Sequence, residues 1–221
     1  ELEKHHGMLV SFNGAHVEDA QTGEVLFDQP IPHDLLKPLL DHVRQFDVIP
    51  WVTEGRVLYV EDAYPGNIYY RGEPINIIKH ERDACNLLVQ EIGNLDERIE
   101  FPQDKVLLAG TDTYLAEHWQ EISAPFEGKL AAMFTADFFF EFMAPGVSKG
   151  NALAGAMPKL GIDPSEVVTF GDAQNDLSMI TWAGTGVAMG NATDEVKAAA
   201  DMITLSNNED GIAVALEQLL A

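Results

Sequence analysis

Apolar and polar positions follow two different rhythms along the chain, and the change falls near Pro145. Before it, short β-type runs dominate. Residues 8–12 read as a strand turned by Asn13-Gly14, and runs 15–19 and 24–28 flank Gln21-Thr22-Gly23 as a hairpin. Leu35, Leu36, Leu39, Leu40 and Val43 recur at helical spacing and predict a helix over 33–46, with Pro38 offsetting or kinking it. Runs 48–53 and 56–60 predict strands, and 61–74, rich in Tyr, Pro and Gly, predicts a loop. Residues 75–98 show no clean period, and a helix is expected near 84–92. A strand over 105–109, a helix over 111–123 and paired strands over 130–135 and 138–143 follow.

After Pro145 the segments alternate strictly. Helices are predicted over 149–160, 175–183, 194–200 and 209–220, and strands over 167–170, 186–189 and 202–205. Strands separated by helices imply a parallel sheet covered on both faces, so the expected class is α/β. The expected organisation is a core from 1–29 and 144–221 with an inserted α+β unit over 30–143.

Charge narrows the functions. With 36 acidic against 13 basic residues and a net charge of −23, nucleic acid and anionic membrane surfaces are excluded as partners. A phosphorylated ligand would need local cations. The single cysteine, Cys85, permits no internal disulfide, fits a reducing cytoplasm, and is expected to be buried packing in a helix. No apolar run reaches the roughly 18 residues of a membrane span. The opening Glu1-Leu2-Glu3-Lys4-His5-His6 is no signal peptide and reads as the tail of a helix.

Chemistry concentrates in Val167-Val168-Thr169-Phe170-Gly171-Asp172-Ala173-Gln174-Asn175-Asp176. A buried strand ends in a glycine turn that carries two carboxylates and an amide, at the strand end where α/β sheets bind ligands. Oxygen donors there suit a hard cation such as Mg²⁺. Asp172 is the expected ligand, with Asp176 supporting the metal or its waters without binding it directly, and Asn175 donating to a phosphate oxygen. Helix capping accounts for one such residue, not three. Lys149, after the N-cap residue Ser148, sits at a helix start. A cation there opposes the helix dipole, but lysine and helix N-terminus together hold phosphate well. Gly190-Asn191 reads as a turn plus N-cap at the site's rim. His33, His42, His80 and His118 show no ligand spacing, and Phe138, Phe139, Phe140 and Phe142 read as core. Tyr64, Tyr69 and Tyr70 fit either a pocket lining or a self-packed loop.

Taken in order, Gly146-Val147-Ser148-Lys149-Gly150, Leu160-Gly161-Ile162-Asp163-Pro164, residues 170–176, Gly186-Val187-Ala188-Met189-Gly190-Asn191-Ala192, Ala198-Ala199-Ala200-Asp201 and Asn208-Glu209-Asp210-Gly211 resemble the haloacid dehalogenase (HAD) superfamily. The likeness is to its Cof-type phosphatases with a large α/β cap, and Phe12-Asn13-Gly14-Ala15 resembles the strand leading towards that cap. The resemblance implies a Rossmann-like core with the cap as the inserted unit, and Mg²⁺-dependent hydrolysis of small phosphorylated metabolites, sugar phosphates foremost, through an aspartyl-phosphate. It implies Mg²⁺ on Asp172 and phosphate on Lys149 and Asn175. The family's Asp-x-Asp-Gly-Thr motif, which carries nucleophile and general acid, is absent from these residues, and Gly110-Thr111-Asp112-Thr113 reads as a helix N-cap instead. The core is therefore expected to be incomplete at its N-terminus, with apolar edges unpaired, and the chain to be a fragment that is inactive alone. A phosphomutase and a non-catalytic Mg²⁺- or phosphate-binding remnant are the alternatives. Oligomeric state is not legible.

Overall fold

The computed structural model describes residues 7–220. The helix tail expected over 1–6 lies outside them. Two compact units emerge, one from residues 1–29 and 146–221, the other from 30–145.

The first unit opens with β1 (Met8–Ser11), β2 (His16–Asp19) and β3 (Val25–Asp28), paired antiparallel in that order. Asp19 closes the second turn by accepting the amides of Gln21 and Thr22 at 2.9 and 2.7 Å.

The second unit holds α1 (His33–Val43), β4 (Ile49–Glu54), β5 (Val57–Val60), β6 (Ile68–Tyr70), β7 (Glu73–Ile75), α2 (Ile77–Cys85), β8 (Leu88–Glu91), α3 (Leu95–Arg98), β9 (Lys105–Ala109), α4 (Asp112–Ser123), β10 (Ala131–Ala136) and β11 (Phe139–Met143). Its main sheet runs β10-β11-β9-β4-β5-β8, antiparallel except for the β5–β8 pair. The α1 leucines Leu36, Leu39 and Leu40 pack with Leu115 and Ile122 of α4, with Val106 and Leu108 of β9, and with Phe140 and Phe142. Alternation sends Trp51, Leu58, Val60 and Leu107 into a separate cluster with Ile77 and Ile78 of α2.

Two expectations fail in this unit. The predicted loop over 61–74 contains the β6–β7 hairpin, turned by Arg71-Gly72 with both φ positive. The helix expected near 84–92 lies earlier, as α2, and residues 88–91 form a strand. Asn76 caps α2 by accepting the Lys79 amide at 2.9 Å, and Asn86 stops it with φ 52° in the left-handed region. Tertiary pairing with β5 then takes over, which no local period announces. Cys85 is exposed, not buried: it is the last residue of the helix, directly before the Asn86 stop, and its thiol donates to Glu81 Oε1 at 3.5 Å.

The first unit resumes with α5 (Lys149–Ala156), β12 (Val168–Gly171), α6 (Leu177–Trp182), β13 (Thr185–Ala188), α7 (Asp194–Ala199), β14 (Met202–Ile203) and α8 (Gly211–Leu219). β12, β13 and β14 pair parallel in chain order, joined through α6 and α7. Ala152 and Ala156 of α5 pack on Val17 and Leu26 of the opening strands, which ties the two stretches of this unit together. Val168 and Ile203, on the outer strands of the parallel sheet, are exposed.

Candidate phosphate and metal site

The strand β12 ends at Gly171, and the chain then doubles back tightly. A Cβ on Gly171 would lie 2.4 Å from the Cβ of Asp176, so glycine alone permits the fold-back. Asp176 is thereby buried beneath the loop it belongs to. Its Oδ2 accepts the amides of Asp172 at 2.9 Å and Ala173 at 3.1 Å. Its Oδ1 accepts Lys149 Nζ at 2.5 Å. Burial pushes this carboxyl up, but the Lys149 ammonium and the two amides outweigh it and hold Asp176 below the usual carboxylate range.

Lys149 reaches Asp176 because α5 starts where it does. Ser148 caps the helix by accepting the Asn151 amide at 3.1 Å. Gly150 lets α5 approach α6: its amide donates to Ser178 Oγ at 3.0 Å, and a Cβ there would stand 2.4 Å from the Ser178 carbonyl oxygen. The lysine side chain remains 32% exposed, so its ammonium meets both solvent and the buried carboxylate.

Asp172 stands exposed at the end of β12, and Asn191 fixes its orientation by donating Nδ2 to Asp172 Oδ2 at 2.8 Å. Asn191 is itself held, since the Asn207 amide donates to its Oδ1 at 3.0 Å. The Thr193 amide donates to the Asp172 carbonyl at 3.1 Å. The N-cap reading of Asn191 is therefore wrong: Thr193 caps α7 with its own hydroxyl, and Asn191 serves the carboxylate. Asn175 donates Nδ2 to Asn13 Oδ1 at 3.2 Å, which brings the opening turn to the same loop.

Thus Asp172, Asp176, Asn175 and Lys149 come together, joined by Asn191, which the sequence placed only at the rim, and by Asn13, to which it gave no role in the site. The only sequence signals for these two were a glycine neighbour and a place at a strand end. Among the oxygens of Asp172, Oδ1 has no hydrogen-bond partner within the described residues. One carboxylate with a free oxygen, beside amide and ammonium donors, fits Mg²⁺, which takes one or two protein carboxylates and fills its remaining positions with water and phosphate.

The Gly110–Thr113 stretch plays no part here. Thr111 holds the N-cap position of α4, but its hydroxyl accepts the Tyr69 amide and not a helix amide, and Asp112 accepts the Arg71 amide. Tyr70 packs edge-on against Phe138, and Tyr64 is 85% exposed.

Residues 1–216 match the family of haloacid dehalogenase-like hydrolases. The chain belongs to that family. Among HAD relatives, the phosphatase YwpJ of Bacillus subtilis is 36% identical, over 96% of this chain and 79% of its own length. A second B. subtilis relative, the 5-amino-6-(5-phospho-D-ribitylamino)uracil phosphatase YitU, is 28% identical over 95% of this chain and 75% of its own length. A crystal structure of a HAD-like hydrolase from Bacteroides thetaiotaomicron superposes with a TM-score of 0.85 at 28% identity, covering 99% of this chain and 78% of that one. The HAD-like α/β fold follows from these matches. Among the described residues no helix is long and apolar enough to cross a membrane.

Proposed function

We propose that the cluster of Lys149, Asp172, Asn175 and Asp176 takes the phosphate of a small phosphorylated metabolite, with Mg²⁺ on Asp172, in phosphomonoester hydrolysis. The observation that carries this reading is the meeting, at the loop after β12, of an exposed carboxylate oriented by Asn191 with the α5 lysine held by a buried carboxylate. In a chain of net charge −23, that lysine is the local cation a phosphate needs. Asp176 holds the Asp172 amide and the Lys149 ammonium at once, which sets the distance between metal ligand and phosphate donor. Asp172 would hold Mg²⁺, which when bound would shield the charge of the phosphoryl oxygens.

Polyol and sugar phosphates are the proposed substrate class. YitU supports it, because the ligand in its name carries phosphate on a ribityl chain. The inserted unit, residues 30–145, is proposed as the cap that selects among them, with the cytoplasm as the compartment. The aspartyl-phosphate route needs a nucleophilic aspartate with a second aspartate two residues on, and no Asp-x-Asp occurs among the 221 residues. In this scheme the 221 residues hold phosphate and metal, and the hydrolysis needs that nucleophile in addition, so they are expected to show no turnover alone.

Calorimetric titration of inorganic phosphate into the chain, with and without Mg²⁺, tests the site. Saturable, Mg²⁺-enhanced binding that Lys149→Ala and Asp172→Asn both abolish supports it. Binding that survives both substitutions sinks it. Release of phosphate from sugar phosphates by the 221-residue chain would overturn the non-hydrolytic part of the scheme and leave the site assignment standing.

A further inference from the structure

The opening turn, residues 12–14, carries two unusual backbone conformations in a row: Phe12 and Asn13 have φ of 52° and 56°. That left-handed region is costly for phenylalanine and tolerated by asparagine. Gly14 follows at φ 100° and lies close against the start of α5. A Cβ on it would stand 2.4 Å from the Ser148 carbonyl oxygen and 3.0 Å from the Lys149 amide nitrogen. The Ala15 amide closes the turn on the Phe12 carbonyl at 3.1 Å, and the Gln29 amide donates to the Ala15 carbonyl at 2.7 Å. Strain of this kind persists only where the surroundings hold it, and it gathers where function sets the geometry.

This turn touches both segments that carry the proposed phosphate donors. Gly14 backs the main chain of Ser148 and Lys149, and Asn13 Oδ1 accepts Asn175 Nδ2 at 3.2 Å. Asn175 is exposed, so its side chain has rotamer freedom to lose unless something holds it. The bond to Asn13 spends one of its two N–H groups and thereby fixes the direction of the other. Asn13 thus stands to Asn175 as Asp176 stands to Lys149.

We infer that Asn13 is a positioning residue of the phosphate site proposed above, on which this assignment rests. It orients the Asn175 amide so that the second N–H meets a phosphate oxygen, while Gly14 seats the start of α5 that carries Lys149.

Inorganic phosphate with Mg²⁺ is titrated into the 221-residue chain and into Asn13→Gly, Asn175→Ala and the double variant. Glycine adopts a positive φ without strain, so Asn13→Gly removes the acceptor and keeps the turn. It is expected to weaken phosphate about 5- to 10-fold, the worth of one net hydrogen bond, and to leave Mg²⁺ affinity without phosphate unchanged. In the Asn175→Ala background it is expected to change nothing, because Asn13 acts through Asn175. Phosphate affinity unmoved by Asn13→Gly, losses that multiply in the double variant, or an equal loss of Mg²⁺ affinity overturns the inference and leaves the phosphate site standing. An unmodified chain that binds no phosphate sinks both. If Asn13→Gly fails to fold, NMR of the Asn175 side-chain NH₂ in the unmodified chain decides: phosphate is expected to move its signals, and signals unmoved at phosphate saturation overturn the inference.

Discussion

Asp176 holds Lys149 at 2.5 Å through one carboxylate oxygen and the amides of Asp172 and Ala173 through the other. One buried side chain thus fixes both the start of α5 and the loop that follows β12. Removing it leaves an ammonium and two amides without their acceptor. Asp176→Ala is expected to cost about 3 kcal/mol of stability, read from urea unfolding. The same substitution is expected to weaken Mg²⁺ binding at Asp172 about 10- to 100-fold. A change below about 0.5 kcal/mol would mean that water replaces the carboxylate, and that Asp176 does not order the loop.

Gly150 sets how closely α5 approaches α6. Gly150→Ala places a methyl where the Ser178 carbonyl oxygen already stands, at 2.4 Å, and backbone cannot swing aside as a side chain would. The usual gain in helix propensity from Ala, about 1 kcal/mol, is expected to be reversed into a net loss of about 1–3 kcal/mol. Gly161→Ala is the control: its φ of 72° strains alanine, but nothing lies within 4 Å of the added methyl. If only Gly150→Ala also lowers phosphate affinity, the helix contact positions Lys149.

Asp96 contributes a pH dependence to the stability of the second unit. Its side chain is 1% exposed and meets Lys37 at 2.8 Å and Arg44. Burial pushes its carboxyl up, yet the hydrogen bonds and charges of Lys37 and Arg44 prevail and hold it below the usual range. A depressed carboxyl stabilises the fold above its unfolded pKa of about 3.9, and the gain is lost as pH falls through the lower folded value. Asp96→Asn is expected to cost about 1 kcal/mol at pH 7, since both cations reach solvent, and nothing near pH 2. Melting curves of the two proteins across pH 2–7 check this. A gap that stays constant down to pH 2 excludes the ion pairs as its cause.

Cys85 is exposed but not activated. Partial burial and the charge of Glu81, whose carboxylate accepts the thiol at 3.5 Å, push its pKa up. Alkylation by iodoacetamide at pH 7.5 is expected to run slower than for free cysteine, and Glu81→Gln is expected to speed it several-fold. Cys85→Ser is expected to change stability by less than about 0.5 kcal/mol. A rate equal to that of free cysteine would show that Glu81 leaves the thiol unperturbed.

How much of this was legible in the sequence depended on where the deciding contact lay. The helix over 33–43 was readable because Leu36, Leu39, Leu40 and Val43 form its buried stripe. Residues 75–98 were not, because Asn86 stops the helix in a conformation that carries no hydrophobic period, and β8 exists by pairing with β5. Capping chemistry was visible as residue type but not as partner: Thr111 and Asn191 both resembled caps and both turned out to hold something else.

By itself the sequence determined the α/β alternation after Pro145, the strand that presents Asp172, and the placing of Lys149 at a helix start. Hydrophobic period and turn residues act over a few neighbours, and those features need no more. Only the tertiary structure decided that Lys149 meets Asp176 across 27 residues and that Asn175 meets Asn13 across 162. It also decided that, among the described residues, the buried Oε1 of Gln103 has no hydrogen-bond partner. Hydrogen bonds act at about 3 Å, and chain order says nothing about which distant groups the packing brings that close.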